Sequence, residues 1–435
     1  MTQKEIEQTE IEAPYELPEG WKWCRLGDVC KTFADGDWIE SKDQSESGIR
    51  LVQTGNIGNG EFRDKEDKYH YISEETFKKL KCTEIFPGDI LISRLPEPVG
   101  RSCIIPDSNY KMITAVDCTI IRLFENITCK NWFCYYTQSH VYAGLIHERC
   151  TGTTRLRISR KNLGEIPFPL PPTLAEQERI VNRIERMFAK LDQAQEKAQA
   201  VLDSFETRKA AILHKAFTGE LTANWRKANN VPDDSWISVN MGALSELITK
   251  GASPKWQGIQ YTDDTSQTLF VTSENVREGY LDLEKEKYLD NKINEIQKRS
   301  VLKKGDVLLN IVGASIGRSA IYNLDKLANT NQAVCIIRLN KTVLGDFICY
   351  FLNSNIARSY YDDNKVETAR ANISLANVSD MIVAVPTLPE QQEIVRILDT
   401  VLEKESCAKE SAQTVLDQIA LLKKSILARA FRGEL

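Results

Sequence analysis

From residue 180 apolar side chains recur at alternating steps of four and three: Ile180, Ile184, Met187, Leu191, Ala194, Ala198, Val201, Phe205 and Ile212, interrupted only by Arg208. The pattern returns 214 positions later without a gap, as Ile394, Leu398, Val401, Ala408, Ala412, Val415, Ile419, Leu422 and Ile426, interrupted by Glu405. Such a seam, sustained over several heptads, predicts a coiled-coil helix in each of the stretches 173–221 and 387–435. Both copies open with Thr-x-x-Glu behind proline, Thr173 to Glu176 and Thr387 to Glu390, the pattern of a capping box. Both close with Ala-Phe-x-Gly-Glu-Leu, where Gly219 and Gly433 suit the left-handed residue after a helix. Some 40 helical residues make a rod of about 60 Å.

The two interruptions indicate how the rods pair. In a parallel pair Arg208 would face Leu422 and Glu405 would face Leu191, each charge among apolar neighbours. Antiparallel, with a pseudo-twofold axis near position 200, Arg208 comes level with Glu405, and the small Ala198 and Ala412 fall near the crossing. The alternative is that both charges reach solvent along their own stems.

Ahead of each rod lies a segment of about 150 residues in which short apolar, β-branched runs alternate with amphipathic ones. The runs 89–92, 118–123, 306–312 and 333–339 read as strands, and 74–81, 130–146 and 345–361 as helices. Islands match between the halves: Gly88-Asp-Ile-Leu-Ile-Ser with Gly305-Asp-Val-Leu-Leu-Asn, Val99-Gly-Arg-Ser-Cys-Ile with Ile316-Gly-Arg-Ser-Ala-Ile, and Thr119-Ile-Ile-Arg-Leu with Cys335-Ile-Ile-Arg-Leu. The expected organisation is α+β with an internal repeat: an acidic lead-in (1–17), a mixed α/β domain (18–170), a helix (171–221), a linker (222–231), a second mixed domain (232–385) and a second helix (386–435).

Composition narrows the chemistry. The net charge of −5 is carried by residues 1–20, which hold six glutamates and one lysine, so the remainder is balanced and compatible with basic faces. Eleven cysteines without a CxxC pair, no leader-like start and no apolar run of membrane length point to a reducing, cytoplasmic setting. Neither a GxxxxGK[ST] loop nor a GxGxxG fingerprint occurs, and the four histidines make no metal-binding motif. What is positively visible is binding chemistry.

The stretch 147–161, HERCTGTTRLRISRK, gathers Arg149, Arg155, Arg157, Arg160 and Lys161 with the hydroxyls of Thr153 and Thr154, a set suited to phosphate oxygens. Its counterpart keeps Arg370 opposite Arg155 and Ser374 opposite Ser159, and carries Asn372 as a further candidate. Arginine can read guanine, and asparagine or glutamine can read adenine. This makes Arg94, Gln53 and Asn56 candidate base readers in the first domain, and Asn275, Asn310 and Gln257 in the second. Lys250 and Lys255 flank a Gly-Ala-Ser-Pro loop, which is either a phosphate-contacting edge or an ordinary turn. Arg101 and Arg318, in a Gly-Arg-Ser context common to both domains, suit positioning of the backbone more than discrimination.

With repeat, rods and divergent domains in hand, the chain resembles the DNA-specificity subunits of type I restriction-modification systems. The resemblance spans residues 15–435 and is strongest in LPPTLAEQERIV, VPTLPEQQEIV, the Ala-Phe-x-Gly-Glu-Leu exits and the island GTTRLRIS. It implies two target-recognition domains, each reading half of a bipartite site in double-stranded DNA, and a helical spacer that docks adenine methyltransferase and restriction subunits. It implies no catalysis and no cofactor in this chain, with S-adenosylmethionine, ATP and Mg on the partners. Glu367-Thr368 stands where the first domain has Gly152-Thr153, a departure that sets a carboxylate in the phosphate-suited loop. The rival readings are a single-chain restriction or methyltransferase enzyme, which requires a cofactor fold and an Asn-Pro-Pro-aromatic or Asp-Pro-Pro-aromatic motif not visible here, and a coiled-coil scaffold without DNA function.

Overall fold

The computed structural model describes residues 11–65, 68–152, 154–366 and 371–435. The chain divides into two compact units, Met1–Gln199 with Thr414–Leu435, and Ala200–Gln413. The division passes through both long helices, Leu174–Phe217 and Leu388–Phe431, each of 44 residues. Each unit therefore holds one mixed domain and a piece of both helices.

In the first unit a four-stranded antiparallel sheet has the order Cys30–Asp35, Cys118–Leu123, Ile90–Ser93, Ser102–Ile104. Its inner strands are apolar at consecutive positions because both faces are covered. Ile90, Ile92, Ile121 and Leu123 enter the main core, whereas Leu91, Cys103, Cys118 and Ile120 enter a second one. The second unit repeats the arrangement with Ser245–Lys250, Val334–Leu339, Asp306–Asn310 and Ser319–Tyr322. There Val307, Leu309, Cys335 and Ile337 face one core, and Leu308, Ala320, Val334 and Ile336 the other. A second sheet of shorter strands, five in the first unit and four in the second, carries one parallel pair, Ile49–Val52 with Met112–Thr114 and Thr268–Val271 with Ala328–Thr330.

Two expected helices are each broken into two. The stretch 130–146 forms Lys130–Thr137 and His140–Glu148, and 345–361 forms Gly345–Leu352 and Asn355–Asn364. The cause is a serine at each break: Ser139 accepts from the Tyr142 N–H and Ser354 from the Ala357 N–H, each starting a new helix. The lead-in is pinned at its described end, where the Tyr15 hydroxyl donates to the Phe431 carbonyl at 2.8 Å. Residues 1–10 of that segment lie outside the described residues.

The ends of the long helices complete the domain cores. Phe431, of the repeated Ala-Phe-x-Gly-Glu-Leu, lies 4.5 Å from the Trp132 ring and 5.2 Å from Tyr136. Its counterpart Phe217 meets Phe347 and Phe351 at 5.3 and 5.4 Å. From the other helix, Ile180 and Ile184 join the first core, and Ile394 and Leu398 the second. A glutamine at the start of each helix fastens the same turn of its own domain. Gln177 accepts from the Thr128 hydroxyl and the Cys129 N–H, and donates to Ile127. Gln391 accepts from the Leu344 N–H and donates to Thr342 and Pro386.

Within each unit the helices run antiparallel. In the first, Lys423 reaches Asp192 at 2.6 Å. In the second, Arg208 donates to Glu405 at 2.8 Å while Lys409 approaches Glu206. Ala198 and Ala412 are both buried.

The capping glutamates differ from the sequence expectation. Thr173 does accept from the Glu176 N–H, but the Glu176 carboxylate is taken by Arg179. Glu390 turns inward, is fully buried, and accepts from Arg226 and Thr222, both at 2.6 Å, and from the Trp236 indole. Arg226 lies on a short helix, Ala223–Ala228, so the segment expected to be a plain linker is anchored by a buried ion pair.

Two outcomes follow from these pairs. Arg208→Ala and Glu405→Ala, both partly exposed, should each lower stability by about 0.5–1 kcal/mol, and the double variant by less than the sum; denaturant titration of the four proteins checks this. Glu390→Ala should cost about 3 kcal/mol, because Arg226 is left charged and buried, whereas replacing both partners by Met should restore most of the loss.

Candidate nucleic-acid interface

Three chain segments meet at one end of the antiparallel sheet in each domain. In the first domain the strand Cys30–Asp35 ends there, Ile90–Ser93 ends there and Cys118–Leu123 begins there, since Thr119 pairs with Asp35 and Cys118 with Ser93. In the second domain Cys335 pairs with Lys250 and Val334 with Asn310. Just beyond, Gly36 and Gly251 pass so close to a neighbouring strand that a Cβ would run into the Ala115 and Thr330 carbonyls respectively. Burial pushes the thiols beneath this edge, Cys118 and Cys335, up to about 12, so they are neutral packing groups.

A small hairpin closes over this end in both domains. Thr151 and Arg157 exchange two backbone hydrogen bonds of 2.8 and 2.9 Å, and Val366 and Asn372 do the same at 2.9 and 3.3 Å. Hairpin and sheet are then stitched together, with Ile158 N–H donating to Arg94 and Ile373 N–H to Ile311. Ser159 and Ser374 each cap the short helix that follows. Ser374 is thus committed to its Asn377 N–H.

The exposed part of the first hairpin is basic. Thr154, Arg155, Arg157, Arg160 and Lys161 are exposed, and Arg149 is half-buried with a hydrogen bond to the Leu145 carbonyl. Arg157 pairs with Asp117 at 3.0 Å, and Arg160 lies 3.7 Å from Asp35. About half of each arginine side chain is exposed. Such pairs contribute about 0–1 kcal/mol, so they orient the arginines yet release them to a competing phosphate. Thr153 and Arg370 lie outside the described residues.

Several of the candidate DNA-contacting residues, the readers Asn56, Asn275, Arg94 and Asn310 and the backbone-positioning Arg101, are held in the frame of their domains. Asn56 accepts from the Gln53 N–H and donates to the Arg63 carbonyl, and Asn275 likewise joins Thr272 to Asp282. Both amides are consumed within their turns. Arg94 is buried against Asp35 and the Val116 carbonyl. Arg101 is buried on four carbonyls, those of Ile57, Leu95, Pro98 and Thr54, at 2.6–2.9 Å. Asn310 is fully buried and donates to the Ser273 and Val276 carbonyls. Thr54 and Ile57 in one domain correspond to Ser273 and Val276 in the other, so the same two carbonyls are closed by Arg101 in the first and by Asn310 in the second. Asn56, Asn275, Arg94, Arg101 and Asn310 are therefore framework residues. Asn310 Oδ1 and Arg94 Nε have no hydrogen-bond partner among the described residues, yet both residues are buried, so it is burial that withholds them from a base.

The positions that stay available differ between the domains. Gln53 is half-buried, and Asn372 is half-buried beside its closing bonds. Lys250 and Lys255 are exposed and Gln257 is half-buried. Arg318, relieved of carbonyl duty by Asn310, is half-buried near Glu278. Burial alone would raise the Glu278 carboxyl, but a hydrogen bond from Lys209 and the charges of Lys209, Arg358 and Arg318 hold it below its ordinary value. Where the first domain has Asp35 and Asp117, the second has Lys250 and Ala333 at the same register. The second domain opens at this end into a cleft of about 790 Å³, lined in part by Gln332, Arg358 and Ser273.

Sequence reasoning overlooked Gln332, Arg358 and Trp38, the last 69% exposed just beyond Gly36. Their signal was the mismatch at positions flanking matched islands: Trp38 against Ser253, and Val116-Asp117 against Gln332-Ala333. Among the described residues no group of three His, Cys, Asp or Glu side chains is placed to hold a metal ion. No helix among them is long and apolar enough to cross a membrane.

Comparison with known proteins agrees with this geometry in both halves. The family model for the type I restriction modification DNA specificity domain matches residues 18–202 and again 236–415. The specificity subunit of the type I restriction enzyme EcoBI of Escherichia coli is 27% identical, over 89% of this chain and 85% of its own. That of EcoKI, from strain K12, is 25% identical, over 96% and 90%. Among solved structures, the HsdS subunit from Thermoanaerobacter tengcongensis aligns with a TM-score of 0.65 at 19% identity, covering 98% of this chain and all of its own. A chain from a study of complex assembly and conformational transition of the type I R-M system aligns at 0.75 and 18%, covering 97% and 100%. The match of one family model to both domains and the start of the helix behind each places this chain in the type I restriction-modification DNA-specificity family.

Proposed function

We propose that this chain selects the DNA site for a type I restriction-modification complex and leaves the chemistry to its partners. Each domain reads one half of a bipartite site in double-stranded DNA. The long helices fix the interval between the halves and, on their outward faces, dock adenine methyltransferase and restriction subunits. Those subunits bring S-adenosylmethionine, ATP and Mg; this chain brings none.

The observation that supports this most is the contrast at the sheet ends. Both domains keep one frame, with the same closing hairpin and the same capped turns, yet set different exposed groups on it. A scaffold has no need of such divergence on a retained frame, whereas a pair of readers for unlike sequences requires it. The second domain's Lys250, Lys255 and Arg318, and the first domain's Arg155, Arg157, Arg160 and Lys161, are the phosphate-facing groups on this reading. Gln53, Gln257 and Asn372 remain candidates for contact with bases.

Expression with the methyltransferase subunit and mapping of modified adenines tests the reading. A bipartite motif with a fixed spacer is expected, and insertion of a heptad into one long helix should change or abolish that spacer. Modification of one contiguous motif, or none that depends on sequence, would rule it out. Arg155→Ala and Arg157→Ala should weaken binding to all sequences alike and reduce the slope of log affinity against log salt by about 0.9 for each phosphate no longer neutralised.

A further inference from the structure

Gln332 meets the requirements that the buried amides fail. It is exposed, lines the cleft at the sheet end, and makes no side-chain hydrogen bond among the described residues. The turn beneath it is fixed. The Asn331 side chain accepts from the Ala333 N–H at 3.0 Å, the Val334 N–H returns to Asn331, and the Ala333 carbonyl accepts from Ile311. An uncommitted carboxamide is thus presented from a rigid base, which is what discrimination between bases demands.

The surroundings suit a nucleotide. Arg358 stands on the cleft wall with its side chain 66% exposed, 3.8 Å from Glu278 and thus only loosely held. Lys250, at the edge of the same sheet end, adds a second exposed cation. The corresponding first-domain position is Val116, beside an aspartate that occupies Arg157. A carboxamide in that setting is found in the second domain alone.

We infer that Gln332 reads an adenine edge in the half-site of the second domain, with Arg358 holding a neighbouring phosphate. This rests on the assignment of the domain as a DNA reader. A carboxamide offers one donor and one acceptor, the complement of adenine N7 and the N6 amino group in the major groove, and one such bidentate pair discriminates by roughly ten- to a hundredfold.

The test uses the full chain expressed with its methyltransferase subunit, with modified sites mapped across genomic DNA. Gln332→Ala should relax one adenine position in one half-site by roughly ten- to a hundredfold and leave every position of the other half-site unchanged, which also shows that the protein is folded. Gln332→Glu, equal in size but lacking the donor, should move preference at that position towards cytosine, whose amino group a carboxylate accepts. Arg358→Ala should lower modification of all sites together without altering the motif. An unchanged motif in both Gln332 variants would overturn the assignment of Gln332 while leaving the domain a DNA reader. Absence of any sequence-dependent modification by the unaltered chain would overturn both.

Discussion

Each domain core is closed by side chains that the domain does not itself contain. Phe431 with Ile180 and Ile184, and Phe217 with Ile394 and Leu398, supply large apolar groups from both long helices. Burying a phenylalanine contributes on the order of 2–3 kcal/mol, and Phe431 joins an aromatic cluster in which Trp132 also meets Trp21, and Tyr136 also meets Tyr142 and Phe168. The strands, the capped turns and the hairpin therefore depend on the helices being in place, and the helices are held by the domains at the same points. Gln177 and Gln391 make this attachment directional, because a carboxamide satisfied on both sides fixes the helix against one backbone turn.

That dependence explains what in the sequence could be read. The seam of the long helices, the repeat at 214 residues and the charges at Arg208 and Glu405 are local patterns with a long period, and they appear directly in the chain. The inner strands of the four-stranded antiparallel sheets were visible for a similar reason, since runs apolar on both faces need no partner to be recognised, whereas the edge strands Cys30–Asp35, Ser102–Ile104, Ser245–Lys250 and Ser319–Tyr322, shorter or mixed in polarity, were not read as strands. Breaks at Ser139 and Ser354 were hidden because an amphipathic pattern continues across them, and only the hydroxyl's capture of an N–H decides that a new helix starts.

The candidate interface was the least legible part. Residue type alone drew attention to Asn56, Asn275, Asn310, Arg94 and Arg101, yet the groups able to recognise a base are also those best able to close a backbone turn. Burial separates the two uses, and burial here is set by segments far apart in the chain, as where Arg101 meets Thr54 or Asn310 meets Ser273. The basic hairpin was found because its charge density is local. Gln332 was not, because its mark in the sequence is a mismatch with Val116 beside a matched island, and a mismatch does not show that a side chain projects.

The interchange of Arg101 and Asn310 bears on how the two domains differ. The two corresponding carbonyls are reached from a turn residue, Arg101, in one domain and from a strand residue, Asn310, in the other. Where a strand supplies the asparagine, the arginine of the Gly-Arg-Ser turn, Arg318, is half-buried near Glu278. The second domain thus has a long cationic side chain outside its frame, where the first domain spends the equivalent arginine on its own backbone.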